Sequence, residues 1–344
     1  MQSGQDDNRP HILIVGAGIA GLSLAYELSK HPITVTVLDS AEAKASDVPV
    51  ALLNPHRGRT AKATELDRAG LAAMQNLADE LEAEGLAPGI NFTGVLRLPS
   101  SARQAKLWQK QSALRWLPKA PQGFHAPYGA ALVPNGGWLE PALLLKSLKH
   151  LAQYRGATFQ RATVVAVKDQ GRSELVLSDI GEFTADKVIL CVGARTHIDL
   201  SRIDLRHYTG DVIELDLKDR LVYPLAGAVY GAQSGNSLFM GGNHRESFKD
   251  AEAVPRLKRA ASWFIPAVKD ASLVSQWSGT RTKQSNNQPL IKPLRKHLWF
   301  YGALAGRGFL CAAYLSRRLA AQLLEPHDSR TRLVSSQAHL PSDL

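Results

Sequence analysis

The chain has little cysteine and no long apolar run. Its two cysteines, Cys191 and Cys311, stand in apolar surroundings, which excludes a disulfide framework. No apolar run reaches the roughly 20 residues that span a bilayer, because the best candidate, residues 300–315, contains Arg307. The first ten residues are polar and carry two aspartates, unlike a signal peptide. Together these absences predict a cytoplasmic protein without a membrane span.

Metal-binding and nucleophilic constellations are missing as well. The 11 histidines do not cluster at ligand spacing, and neither cysteine has a partner, so we predict no metal site. Apolar residues, in contrast, are plentiful. Of the 344 residues 44% are hydrophobic, which excludes wholesale disorder and suits one large domain or two interleaved domains.

Acidic residues are absent from two long stretches. Residues 85–138 carry six Lys and Arg and residues 271–324 carry eight, without one Asp or Glu. Two such stretches predict a surface that faces a polyanion. In the first, Arg103, Lys106 and Lys110 are spaced to share one face of a helix. The alternative is a solvated basic face with tryptophans in the core behind it.

The N-terminal region has the pattern of a dinucleotide-binding unit. A β-prone run at 11–15 leads into G-A-G-I-A-G at 16–21, a helix pattern at 22–29, a second strand at 33–38 and then Asp39. In such a unit the glycines allow a tight turn, a close approach of the pyrophosphate and helix packing, while the acid accepts ribose hydroxyls. The alternative is a glycine-rich turn that binds nothing.

Two further pieces favour FAD over NAD as the dinucleotide. A hairpin pattern at 164–177 leads to a buried strand that ends at Gly193. Near the C-terminus, a short strand at 298–302 is followed by Gly306-Arg307-Gly308, which opens a helix. A glycine turn at a helix N-terminus suits the electron-rich edge of a reduced flavin.

Four segments carry a family resemblance. Residues 49–56 read P-V-A-L-L-N-P-H, 136–141 read G-G-W-L-E-P, 303–308 read A-L-A-G-R-G, and G-T-R at 279–281 precedes Q-P-L-I at 288–291. In order and spacing they resemble the D-amino-acid oxidase superfamily of FAD enzymes. Within it, the chain is most similar to the MnmC-type oxidoreductases, which modify the tRNA wobble uridine. It departs from the family pattern at Asn286, where an acid is usual, and at Lys292, where glycine is usual.

The resemblance implies an α/β fold with two interleaved domains. A Rossmann-like FAD domain of the glutathione-reductase type would use residues 1–90, 136–205 and 293–330. A mainly antiparallel-sheet substrate domain would use 91–135 and 206–292, leaving 331–344 as a tail.

The resemblance also implies site residues. Arg281 matches the family's carboxylate-binding arginine, Tyr230 matches a tyrosine that contacts the same carboxylate, and Arg307 would face the flavin or the substrate carboxylate. His56 and Arg57 either approach the isoalloxazine or face solvent, and no general base is assigned. The expected FAD contacts are Gly16, Ala17, Gly18, Ile19, Ala20, Gly21, Asp39, Ser40, Leu53, Val165, Val192, Gly193, Gly306, Arg307, Gly308 and Phe309.

The implied reaction is oxidation of the carboxymethylaminomethyl group on a tRNA wobble uridine, giving aminomethyluridine and glyoxylate. The basic stretches 97–119 and 281–318 would then contact tRNA. Only ten residues precede the first strand, so we expect any methyltransferase partner to be a separate protein. The alternatives are an oxidase of free glycine, sarcosine or a D-amino acid, a non-catalytic flavin- and RNA-binding protein, and an NAD-dependent dehydrogenase.

Overall fold

A computed structural model describes residues 9–242 and 252–325, so the tail expected at 331–344 lies outside the described residues. The helices are α1 Ile19–Leu28, α2 Glu65–Ala83, α3 Ala102–Gln109, α4 Pro141–Tyr154, α5 Ala253–Phe264 and α6 Gly308–Leu324. The strands are β1 His11–Val15, β2 Thr34–Asp39, β3 Ala51–Leu53, β4 Ile90–Asn91, β5 Val95–Arg97, β6 Arg115–Leu117, β7 Ala130–Val133, β8 Gly137–Leu139, β9 Thr158–Arg161, β10 Val164–Asp169, β11 Glu174–Ser178, β12 Gly181–Ala185, β13 Lys187–Leu190, β14 Arg206–Asp216, β15 Leu225–Ala226, β16 Tyr230–Ser234, β17 Ser237–Gly241, β18 Ser272–Lys283, β19 Leu290–Pro293 and β20 Leu298–Gly302.

A six-stranded sheet forms the dinucleotide-binding half. Its order is β19-β20-β13-β1-β2-β9, with parallel pairs throughout except the antiparallel edge pair of β19 and β20. Both faces of β1 are buried, because Ile12 and Ile14 pack among α1, α2, α4 and α6 while Leu13 and Val15 pack against the sheet β10-β11-β12. Such two-sided burial explains why the strand is continuously apolar.

An eight-stranded sheet forms the second half. Its order is β18-β14-β17-β16-β15-β5-β7-β6, and only the contact between β15 and β5 is parallel. Helix α5 packs on one face through Leu257, Ala261 and Phe264. The predicted α/β class, a parallel dinucleotide-binding sheet beside a mainly antiparallel one, is confirmed. Strand β19 starts three residues before the domain boundary expected at 293 and belongs to the six-stranded sheet.

No helix among the described residues is both long and apolar enough to cross a membrane. The parallel strands β1, β2 and β13 end at one edge of their sheet, where Gly16, Asp39 and Cys191 follow or close them. This edge opens toward the eight-stranded sheet. Ligands of open parallel sheets bind at such an edge, outside the carboxyl ends of the strands.

Candidate active site

One cavity of about 990 Å³ contains residues of both sheets. Its volume lies at the upper end of the range for small-molecule sites, as a long ligand such as a dinucleotide requires. It brings together most of the predicted site residues. Those that line it are Gly16, Gly18, Ile19, Ala20, Asp39, Ser40, Val192, Gly193, Tyr230, Arg281, Gly306, Gly308 and Phe309.

The turn between β1 and α1 requires glycine at positions 16 and 21, because a Cβ at either would clash with the backbone. Gly16 has φ +104°, and a Cβ there would lie 2.5 Å from the carbonyl oxygen of Cys191. A Cβ on Gly21 would lie 1.8 Å from the carbonyl oxygen of Gly16. The helix therefore starts immediately under the turn, with its N-terminus directed at the cavity, where amides and the helix dipole bind phosphate. Ala17 and Gly21, both predicted contacts, shape the turn from behind and do not line the cavity.

Asp39 ends β2 at the cavity wall. Its Oδ1 accepts the amide of Ala17 at 2.8 Å, and its Oδ2 accepts the amide of Ala41 at 3.1 Å and forms an ion pair with Lys44 Nζ at 2.8 Å. Burial raises the carboxyl pKa, but Lys44 and the two amides outweigh it and hold the pKa of Asp39 below its ordinary value. The carboxylate is therefore charged, as an acceptor of ribose hydroxyls must be, with Lys44 beside it.

Lys44 and Ser46 are cavity residues that the sequence analysis missed. They lie at the 3-10 turn Ala45–Asp47, and the Oγ of Ser46 accepts the amide of Ile19 at 3.0 Å. That amide is in the first turn of α1, so Ser46 brings its loop directly over the phosphate-binding turn. Only tertiary folding places this loop there, and no periodicity in the sequence signals it.

Two residues predicted to contact FAD, Val165 and Leu53, each lie one position away from residues that line the cavity. Val165 is 49% exposed and does not line the cavity, whereas its neighbour Val164 does. Leu53 is fully buried in the core beside α1, whereas Leu52 and Asn54 line the cavity. Successive side chains along a strand point to opposite faces, so adjacent residues differ in whether they face the cavity. In β10 a bulge between Val164 and Ala166 also shifts the pairing register.

Arg281 and Tyr230 line the same cavity, although they lie on different strands. Arg281 is on β18, opposite Tyr208 of β14, and its Nη1 lies 3.7 Å from where a Cβ on Gly306 would be. The ring of Tyr230 lies across Gly241, where a Cβ would be 2.8 Å from its Cζ. Burial raises the pKa of the Tyr230 phenol, and the guanidinium of Arg281 offsets part of that rise. A neutral phenol and a guanidinium thus face one cavity beside the α6 turn.

Arg307 is the main correction. It is only 5% exposed and does not line the cavity. Its Nη1 lies 3.7 Å from Oδ1 of Asp67, and its Nη2 donates to Oε1 of Gln288 at 3.2 Å and to the carbonyl of Asn287. We expected an arginine here to require a ligand anion. The protein supplies that anion itself, because Asp67 is buried in the first turn of α2.

His56 and Arg57, for which the sequence left open a position near the isoalloxazine or one facing solvent, lie in different environments. Arg57 lines the cavity, while His56 is buried behind it with Nδ1 2.9 Å from the carbonyl oxygen of Ala61. Arg97, which the sequence analysis counted only as part of a basic stretch, also lines the cavity. The departures from the family pattern, Asn286 and Lys292, are exposed and do not line it.

Charge is distributed unevenly along the cavity. Among the described lining residues the carboxylates are Asp39 and Glu42, both in the segment that follows β2. Lys44 and Arg195, which also line the cavity, form ion pairs with these two carboxylates. The other lining cations are Arg57, Arg97, Arg281 and Lys283. The end formed by the eight-stranded sheet is therefore suited to anionic ligands.

Comparison with known proteins agrees with this geometry. Residues 11–322 match the family described as FAD dependent oxidoreductase, also called DAO. The chain belongs to this family. It is 26% identical over 321 residues to the tRNA 5-methylaminomethyl-2-thiouridine biosynthesis bifunctional protein MnmC of Maricaulis maris, covering 91% of this chain and 52% of the relative. It thus spans about half the length of that relative.

A second group of relatives matches from end to end. Glycine oxidase of Geobacillus kaustophilus is 23% identical over 356 residues, covering 92% of this chain and 93% of the relative. The crystal structure of glycine oxidase from Geobacillus kaustophilus superimposes with a TM-score of 0.81 at 22% identity, covering 91% of this chain and 93% of that one. The shared fold extends over both sheets of this oxidoreductase.

The oxidoreductase takes FAD as its cofactor, and its cavity fits that molecule. Gly16 and Gly21 leave no room for side chains at the turn, Asp39 stands at the end of β2, and a second helix, α6, starts at the cavity with Gly308 and Phe309. These residues would hold the pyrophosphate, the ribose and the flavin edge respectively. Among the described residues, no group of metal-binding side chains is present.

The second basic stretch of the oxidoreductase is not a continuous surface. Three of its arginines pair with acids from elsewhere in the chain: Arg295 with Glu174, Arg307 with Asp67, and Arg317 with Glu80. Arg281 and Lys283 line the cavity, which leaves Lys292, Lys296 and Arg318 exposed. The stretch is therefore not one exposed basic face, because several of its arginines pair with acids that are distant in the sequence. Its contact with tRNA stays a prediction.

The first basic stretch keeps its surface character. Arg97 is buried, but Arg103, Lys106, Lys110, Arg115 and Lys119 are exposed. Trp108 is a core residue, 1% exposed, as the alternative interpretation held. Through Trp108, α3 packs on the loop of Arg57, since the Nε1 of Trp108 donates to the carbonyl of Arg59 at 2.9 Å.

Proposed function

We propose that this oxidoreductase acts on the carboxymethylaminomethyl group of a tRNA wobble uridine in the cytoplasm, giving aminomethyluridine and glyoxylate. The MnmC relative supports the choice of substrate. The observation that carries the proposal is the position of α3. Its exposed basic face is tied to the loop that reaches into the cavity, so that a phosphate backbone held on the helix would lie beside the site.

In this proposal, Arg281 and Tyr230 hold the substrate. The substrate group is an N-substituted glycine, whose carboxylate a guanidinium binds best through two parallel hydrogen bonds. The phenol of Tyr230, kept neutral by burial, donates a further hydrogen bond to that carboxylate. Holding the carboxylate fixes the adjacent CH2 against the cofactor.

FAD would supply a two-electron oxidant here: loss of a hydride from the CH2 and of a proton from the nitrogen would leave a C=N imine. Water then splits the imine into the aminomethyl amine and glyoxylate. The product amine can accept a methyl group, and we propose a separate methyltransferase as the partner for that step.

The second candidate is a small-molecule oxidase that acts on free glycine, sarcosine or a D-amino acid. The match to glycine oxidase over 92% of this chain and 93% of that relative favours it. The same pair, Arg281 and Tyr230, would hold the carboxylate of the free amine. This candidate assigns no role to the exposed basic face of α3.

Anaerobic reduction of the flavin separates the two candidates. The protein is mixed with tRNA that carries carboxymethylaminomethyluridine, with unmodified tRNA, and with glycine, sarcosine and D-alanine, while the flavin absorbance is followed. We expect bleaching by the modified tRNA alone. Bleaching by a free amino acid alone would move the protein to the second candidate, and no bleaching by any of them would favour a non-catalytic protein.

The RNA surface can be tested without turnover. Replacing Arg103, Lys106 and Lys110 by Gln should weaken tRNA binding and lower the slope of log Kd against log salt by about 2–3. Replacing Lys292, Lys296 and Arg318 by Gln removes equal charge elsewhere and serves as the control. Equal weakening by both variants, or binding that does not depend on salt, would contradict the assignment to α3.

A further inference from the structure

We propose that Arg57 is a second anion-binding group of the active site, which recognises a negative charge on the substrate's N-substituent. This inference rests on the proposed function, in which Arg281 already holds the carboxylate of an N-substituted glycine. Arg57 lines the same cavity from the other side of the fold, on the loop after β3, whereas Arg281 lies on β18. The ligand class is therefore an N-substituted glycine with a second anionic group, either a phosphate or a carboxylate.

The loop that carries Arg57 is held in place on both sides of that residue. The guanidinium of Arg97 donates to the carbonyl of His56 and, at 2.8 Å, to the carbonyl of Gly58. Arg97 is itself fixed by stacking over the ring of Trp108, with 4.4 Å between Cζ and the ring centroid. Because the guanidinium of Arg97 hydrogen-bonds the carbonyls of residues 56 and 58, it fixes the backbone of Arg57 between them.

Further contacts close the same loop. Gly58 adopts φ +64°, which lets the chain reverse, and the amide of Arg57 donates to the carbonyl of Lys62 at 3.4 Å. The amide of His56 donates to the Asn54 side chain at 3.0 Å. These hydrogen bonds fix the conformation of the loop. The fixed loop in turn places Arg57 at the cavity wall.

One nitrogen of the Arg57 guanidinium has no hydrogen-bond acceptor among the described residues. That nitrogen is Nη1, and it is buried. Burial lowers the pKa of Arg57, and the nearby charge of Arg307 lowers it further. Among the described residues a nearby carboxylate is Asp67, whose Oδ2 accepts from the amide and the hydroxyl of Thr64. Its Oδ1 lies 3.7 Å from Nη1 of Arg307 and makes no hydrogen bond, to Arg57 or to any other described residue. A buried N–H without an acceptor is costly. The part of the guanidinium that lines the cavity can bind the oxygens of an anionic ligand, which would offset that cost.

Two sources of the anion fit this chemistry. In a tRNA-borne substrate it is a phosphate of the modified nucleotide, and in a free amine it is a second carboxylate. Both present paired oxygens that match the guanidinium geometry. The charge of the lining supports either, because the carboxylates Asp39 and Glu42 are confined to the segment after β2.

The test uses matched ligands that the enzyme cannot oxidise. (Methylthio)acetate has one carboxylate, whereas 2,2′-thiodiacetate has two, and sulfur replaces the amine in both. Dissociation constants are measured on the holoenzyme from the change in the flavin spectrum. We expect the dicarboxylate to bind more tightly by on the order of tenfold. A second pair, the carboxymethylaminomethyluridine nucleoside and its monophosphate, can be oxidised. Its dissociation constants are therefore taken from how the rate of anaerobic flavin reduction depends on ligand concentration, and the pair reports on the phosphate source.

Variants identify the residue responsible. Arg57→Met should remove the preference for the second anion while leaving the one-carboxylate ligand within about twofold, and Arg57→Lys should restore part of it. Arg59→Met, an exposed arginine of the same loop, is the matched control and should keep the preference. Arg281→Met should weaken both members of each pair.

Three results would overturn the inference: equal binding of both ligand pairs by the wild type, retention of the preference in Arg57→Met, or its loss in Arg59→Met. A shift of the flavin potential in Arg57→Met without a change in preference would also do so, since Arg57 would then act on the cofactor. The thioether pair needs neither tRNA nor turnover. If the preference appears there while modified tRNA leaves the flavin oxidised, the proposed function fails and the second anion site stands.

Discussion

The two ends of the cavity are built in different ways. At the end near the six-stranded sheet, the turn at 16–21 exposes backbone amides, and its shape depends on glycines that cannot accept a Cβ. At the other end, Arg57, Tyr230 and Arg281 come from three distant parts of the chain and act through their side chains. The first end is local in sequence, and the second exists only after the eight-stranded sheet has formed.

The difference shows how each end tolerates change. The glycine turn binds through backbone amides, which are not particular to one residue type. Its specificity for a dinucleotide therefore comes from how closely the pyrophosphate can approach the backbone. The opposite end binds through particular guanidiniums and a phenol, so substrates can be exchanged there without altering the turn. Four substitutions test this contrast, from the largest expected effect to the smallest.

Gly21→Ala should abolish the holoenzyme. The new Cβ would lie 1.8 Å from the carbonyl oxygen of Gly16, a backbone atom that cannot move aside as a flexible side chain could. We expect a loss of at least about 4 kcal/mol in unfolding free energy together with loss of bound FAD. Both are measured by thermal unfolding and by flavin content after purification.

Gly171→Ala is the control for that change. Gly171 has φ +81° but nothing within 4 Å of a Cβ, so it should cost only about 1–2 kcal/mol and leave FAD content unchanged. Equal damage from both substitutions would mean that the close approach at Gly21 is not what builds the cofactor end.

Arg281→Met should separate binding of substrate from binding of cofactor. Loss of a two-pronged hydrogen bond to a carboxylate should lower kcat/KM on the order of 10³-fold while FAD content and melting temperature stay near wild type. Steady-state oxygen consumption provides the measurement, and Lys296→Met, which removes an exposed charge, is the control. A rate within a few-fold of wild type would place carboxylate binding elsewhere.

Arg307→Met should behave in the opposite way. Its removal leaves Asp67 as a buried carboxylate without its guanidinium, so unfolding free energy should fall by about 3 kcal/mol. The KM of the variant that folds should change little, because Arg307 does not line the cavity. Thermal melts and KM are measured side by side with Arg281→Met. A raised KM at unchanged stability would restore the ligand role that the sequence suggested.

His56 should make the loop of Arg57 weakly sensitive to pH. Burial lowers the pKa of His56, so the unfolded chain takes up a proton near pH 6.5 that the folded chain does not. The stability this group contributes is present above pH 6.5 and is lost as pH falls below it, no more steeply than about 1.4 kcal/mol per pH unit. Denaturant melts from pH 7.5 to 5.5 should show a flatter profile in His56→Gln, and identical profiles would exclude the effect.

The sequence patterns located the strand–turn–helix unit of the backbone more accurately than they located the individual side chains that line the cavity. Gly16, Gly18 and Asp39 were found because the spacing of a turn between strand and helix is local, and the structure puts all three on the cavity. In the case of Val165 and Leu53 it is the neighbouring residues that line the cavity, since a strand's two faces are distinguished only when its register is known. Ser46 gave no local signal, because its partner Ile19 lies 27 residues away in the chain and is brought to it by the fold. Lys44 pairs with Asp39 only five residues earlier, but no motif marked it as a cavity residue.

By itself, the sequence determined the fold class, the dinucleotide turn and the pairing of Arg281 with Tyr230 as candidates, because these follow from local spacing and from family motifs. Only the tertiary structure decided what the other arginines do. Arg307 and Arg295 turn inward to Asp67 and Glu174, while Arg57 is held toward the cavity by Arg97. A charge acts through the groups within a few ångströms of it, and those neighbours lie tens to hundreds of residues away along the chain.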